Sequence, residues 1–76
     1  MLKIKDNVDL KGLEKFGFEK SYCVDSTIYI KEYKIGTSYK ETLIVWAGSR
    51  ELQIECGIQL LGTVYDLIQA GLVEKI

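Results

Sequence analysis

The 76-residue sequence predicts a single α+β domain in two layers: a short N-terminal helix, a four-stranded antiparallel meander and a C-terminal helix. Three observations carry that expectation. Apolar residues recur every three to four positions near both ends, they alternate every second position in between, and no proline, low-complexity tract or solenoid-length repeat interrupts the run. A chain this short buries only about 60% of the surface exposed when it is unfolded, so its stability rests on few contacts.

The first helix is predicted from Asp9 as its cap, with Val8 and Leu13 placed as a hydrophobic staple and Leu10, Leu13 and Phe16 as its apolar stripe. Gly17 ends it in the left-handed conformation, and Phe18 then folds back onto Leu13 in a Schellman motif. Gly12 within it costs about 1 kcal/mol relative to alanine, so this helix depends on tertiary contacts. The second helix follows Leu60, Leu61, Val64, Leu67 and Ile68, and Ala70-Gly71-Leu72 repeats the same stop. Its start is expected near Gln59, which brings Leu60 and Leu61 into the stripe, although Thr63 with Asp66 resembles a capping box opening later. Both helices are expected on one side of the sheet.

Strands are expected at roughly Glu19 to Val24, Thr27 to Ile35, Lys40 to Ala47 and Arg50 to Cys56. Gly48-Ser49 reads as a two-residue type II′ turn, which sets Trp46 opposite Glu51, Val45 opposite Leu52 and Leu43 opposite Ile54. A four-residue loop from Gly36 to Tyr39 sets Lys34 opposite Glu41 and Tyr29 opposite Trp46, whereas a two-residue loop sets Glu32 against Glu41. The longer loop is favoured because like charges directly opposite repel. With Asp25-Ser26 as the remaining turn, Cys23, Ile28, Ile30, Leu43, Val45, Leu52, Ile54 and Cys56 form the face beneath the helices. Tyr22, Tyr29 and Trp46 then form a row on the opposite face, with Tyr33 and Ile44 beside it.

That aromatic row is the candidate site. Its three large aromatic side chains, Tyr22, Tyr29 and Trp46, approach the few hundred Å² at which an exposed apolar patch marks a contact surface, and Tyr33 and Ile44 complete the candidate set. The structural alternatives are cross-strand aromatic pairs shielded by lysine stems, or cover from the first helix or the Leu2-Lys3-Ile4 segment. A surface of this kind suits a homodimer or a protein partner. Single-stranded nucleic acid ranks last, because stacking platforms need a positive groove and Glu19 and Glu51 flank this one.

Composition narrows the chemistry further. At 47% hydrophobic and 28% charged residues the chain is too apolar for intrinsic disorder, and its net charge of −1 is spread without a basic block. Arg50 is the only arginine, which argues against bidentate recognition of phosphate or guanine. With no histidine and no C-x-x-C spacing, Cys23 and Cys56 read as free thiols on opposite edge strands, and no metal or cofactor is expected. Nucleophile-elbow, P-loop and dinucleotide-binding patterns are absent, and Glu51 and Glu55 read as solvated charges on an edge strand. No stretch is apolar and long enough for a signal peptide core or a membrane span, so a cytoplasmic location is expected. The expectation is a non-enzymatic interaction module, with a nucleic-acid-associated accessory protein using Lys31 and Lys34 as the alternative.

The opening "LKIKDNVDLKGLEKFGFEK" and the closing "YDLIQAGLVEKI" are similar to the ends of short uncharacterised prophage-type proteins of low-GC Gram-positive bacteria. The resemblance implies a phage-associated accessory protein, a class that includes small inhibitors of host enzymes or defence complexes. It supplies no functional residue. The segment from Leu67 to Glu74 also resembles the helix end that precedes the wing of winged-helix proteins, but strands precede it here, so the likeness amounts to a glycine-capped helix terminus.

Overall fold

A computed structural model describes residues 2–55 and 58–76. The elements run β1 (Leu2–Ile4), a 3-10 helix (Leu10–Phe16), β2 (Glu19–Cys23), β3 (Ser26–Ile35), β4 (Tyr39–Trp46), β5 (Leu52–Glu55), α1 (Leu61–Gln69) and β6 (Val73–Lys75). The fold is α+β, with an antiparallel meander ordered β2-β3-β4-β5 and a second, two-stranded sheet joining β1 to β6. Among the described residues no helix is long and apolar enough to cross a membrane.

The first helical element is a 3-10 helix because its apolar residues are spaced by three. Leu10, Leu13 and Phe16 eclipse one another at three residues per turn, whereas at 3.6 they would drift around the axis. Asp9 caps it by accepting from the Lys11 amide at 2.9 Å. At its end Gly17 adopts φ 91°, and the Gly17 and Phe18 amides donate to the Glu14 and Leu13 carbonyls. The same Schellman pattern closes α1, where Gly71 has φ 74° and the Gly71 and Leu72 amides donate to the carbonyls of Ile68 and Leu67.

The sheet corrects the expected register by one residue between β3 and β4. The loop is the odd-length Gly36-Thr37-Ser38, with Gly36 at φ 61°, so Tyr29 stands opposite Val45 and Ile28 opposite Trp46. A one-residue slip turns every side chain of a strand to the other face. The β2–β3 turn is Val24-Asp25 rather than Asp25-Ser26, a two-residue slip that keeps Cys23 on the face of Ile28 and Tyr22 on that of Tyr29. Relative to β4, the faces of β2 and β3 are therefore the reverse of those expected. Tyr29 lies in the core, while Cys23 is exposed and Ile28 falls outside the core cluster. Cys56, expected on the core side, lies outside the described residues.

Like charges do stand opposite in this register, Lys34 facing Lys40, but Glu32 on the same face resolves the conflict. Its carboxylate lies 2.7 Å from Lys40 Nζ and 3.9 Å from Lys34 Nζ. The β4–β5 register is the expected one, Val45 opposite Leu52 and Leu43 opposite Ile54. Its turn is not type II′, however. Arg50, not Gly48, carries the positive φ of 63°, and the Arg50 amide donates to the Trp46 carbonyl at 2.7 Å.

The strands at the two ends were not anticipated from sequence. In β1 and β6, Lys3 pairs with Glu74 and Ile4 with Val73, and Ile4 is fully buried. Arg50 clasps this region, its Nη1 donating to the Lys5 and Val8 carbonyls at 2.7 Å each while its own carbonyl accepts from the Ile4 amide. The chain's one guanidinium is thus a structural tie, joining the Val8 carbonyl to the Lys5 carbonyl, which also accepts from the Val8 amide at 3.1 Å. The core cluster joins Tyr29, Leu43, Val45 and Leu52 of the sheet to Leu13, Leu60, Val64 and Leu67 of the helical elements.

Candidate interaction surface

Strand alternation divides the expected site between two faces. Tyr29 is buried in the core cluster and Tyr33 packs against it, so both leave the predicted row. Tyr22 has the same parity as Tyr29 but stands exposed at the β2 edge. Only Ile44 and Trp46 keep the outer position expected of them, and the slip in β3 adds Ile28 and Ile30 beside them. Ile30 faces Ile44 and Ile28 faces Trp46, giving a block of four large apolar side chains on adjacent strands, none belonging to the core cluster. Sequence reasoning missed Ile28 and Ile30 because it assigned them to the core.

The block is ordered by its own pairs. Ile28 is buried, 6% exposed, although it is not part of the contiguous core cluster, and Ile30, Ile44 and Trp46 are half-buried, as cross-strand neighbours on one face of a sheet shield one another. Trp46 Nε1 donates to Gln53 Oε1 at 3.0 Å, and Gln53 Nε2 donates to Glu55 at 2.6 Å. That chain satisfies the indole's only polar group, which leaves the ring as apolar contact area. A groove lined by Leu2, Trp46, Glu51, Leu52, Gln53 and Ile54 runs from this block to the β5 edge.

The covered face, by contrast, brings two charged side chains, Lys31 and Glu41, against the helical elements. Lys31 Nζ donates to the Phe16 carbonyl and to Thr63 Oγ1, both at 2.8 Å, tying the 3-10 helix to α1. Glu41, fully buried, accepts from the Leu60 amide at 3.0 Å, the Gln59 amide at 3.2 Å and the Tyr39 hydroxyl at 2.5 Å. Leu60 has no side chain able to cap α1, and Glu41 supplies from across the sheet the acceptor that an N-terminal turn requires. Burial pushes the Glu41 pKa up, but the Tyr39 hydroxyl and the two amides outweigh it and hold the carboxyl below its ordinary value. Helix α1 begins at Leu61, close to the earlier of the two expected starts, and Thr63 serves Lys31 instead of a capping box.

Lys31 therefore faces the helices, and Lys34 and Lys40 share the carboxylate of Glu32. Among the described residues no group of three or more acidic or cysteine side chains is placed to hold a metal ion. No protein-family model, curated protein or solved structure matches the chain.

Proposed function

We propose that this protein is a non-enzymatic interaction module that binds a protein partner through the outer sheet face of Ile28, Ile30, Ile44 and Trp46. The observation that supports it most is that the half-buried Ile30, Ile44 and Trp46, with the buried Ile28 beside them, share a face on which, among the described residues, neither helical element nor the core cluster packs. The indole N–H is already satisfied, so a partner meets the ring without having to supply a hydrogen bond. Protein is preferred to nucleic acid because Lys31 is turned away from the face and Lys34 and Lys40 are held by Glu32. The prophage-type resemblance of the two ends favours a host protein as the partner.

A photoreactive side chain at position 44 tests the reading in extract of the encoding organism. It should cross-link to a protein, the yield should survive moderate salt and fall with Trp46→Ala, and the same probe at exposed position 14 should give no such product. A nucleic-acid product, or equal yield from position 14, sinks the reading.

A further inference from the structure

Helix α1 is apolar on two flanks. Leu60, Val64 and Leu67 enter the core, and one position further along Leu61, Tyr65 and Ile68 recur at helical spacing while remaining 48%, 60% and 48% exposed. That spacing aligns them in one stripe, on a flank that a surface helix ordinarily gives to charged residues. Here Asp66 is the only charged residue of the helix, and Ile58, just before it, is 81% exposed. A helix that is apolar on both flanks needs cover on both.

Three features select a second copy of the chain as that cover. The stripe is nearly symmetrical about Tyr65, so antiparallel helices related by a two-fold axis set Leu61 against the second copy's Ile68 and the tyrosines against each other, as an isologous contact demands. The stripe is uncharged and the chain's net charge is −1, so two copies approach without appreciable repulsion, and a partner chosen by charge would find nothing to grip. With Ile58 and its polar rim, pairing would remove roughly 1,000 Å² in total, the lower limit for a specific, reversible association.

We propose that the stripe of Leu61, Tyr65 and Ile68 is the self-association face of this protein, pairing two α1 helices antiparallel about an axis at Tyr65. The outer sheet faces then stay free, and the dimer presents two of them. This inference does not rest on the function proposed above.

Sedimentation equilibrium from roughly micromolar to millimolar concentration tests it. Wild type should dimerise reversibly. Tyr65→Lys should weaken the dimer at least about 100-fold, because it sets two ammonium groups together at the centre of the contact, whereas Tyr65→Phe and the sheet-face variant Ile44→Lys should leave it unchanged. If Tyr65→Lys does not melt like wild type, Leu61→Glu replaces it with the same expectation. A wild type that stays monomeric throughout overturns the proposal, as does a dimer that survives Tyr65→Lys or is lost only with Ile44→Lys.

Discussion

The two faces of the central sheet are made by the same strands and follow opposite rules. The covered face contains a lysine and a buried glutamate, yet both are satisfied by the helices above them. The outer face concentrates isoleucines and a tryptophan with, among the described residues, no helical element packed on them. Polar atoms are partnered on both faces, the indole N–H of Trp46 by Gln53 included, so what distinguishes the faces is the helical elements that pack on one of them. Among the described residues no buried side-chain nitrogen or oxygen lacks a partner.

The largest expected effect lies on the covered face. Leu43→Ala removes a fully buried side chain and should cost about 2–5 kcal/mol, much of the stability of a domain this small, read by denaturant or thermal melting. If it melts within a few degrees of wild type, the assignment of faces is wrong.

Glu41→Gln should give the next largest loss in melting temperature, since an amide accepts less strongly from two backbone N–H groups and its own NH₂ meets no acceptor among them. The pH dependence has a definite sign. A carboxyl whose folded pKa lies below its unfolded value stabilises the fold above the unfolded pKa, and that stabilisation disappears as pH falls through the folded one. The difference in melting temperature between wild type and Glu41→Gln should therefore be full near neutrality and shrink on acidification below the ordinary carboxylate range. A difference that grows in acid contradicts the cap.

On the outer face Ile44→Lys should cost only about 1 kcal/mol, because a long stem can lie along its neighbours while the ammonium reaches water. A loss as large as that of Leu43→Ala would show that something covers this face. The smallest effect belongs to Glu32→Gln, which leaves Lys34 and Lys40 opposed; its slight loss in melting temperature should fade as salt is raised.

The contrast also shows where sequence reasoning succeeds. All four meander strands, both glycine stops and the β4–β5 register were legible from local patterns. The faces of β2 and β3 were not, because Ile28-Tyr29-Ile30 is apolar in both phases and the outcome then depends on whether the Gly36 loop has an odd or even length. Two turns place positive φ on Val24 and Arg50, where no glycine marks the position. Lys31 and Glu41 look misplaced on a core face until their distant partners are known: Phe16 and Thr63 for one, Gln59 and Leu60 for the other. Of the candidate site, Ile44 and Trp46 were placed correctly, and the tyrosines followed the mistaken register.

The β1–β6 ribbon has a kinetic consequence. The meander closes through short loops and can form as soon as its hairpins meet, but the burial of Ile4 waits for Val73 at the far end of the chain. Such a contact carries the largest loop-closure entropy in the molecule and raises its contact order. During synthesis the ribbon therefore closes only once residues 72–75 have left the ribosome, and until then Leu2–Ile4 can be held only on its Arg50–Glu51 side.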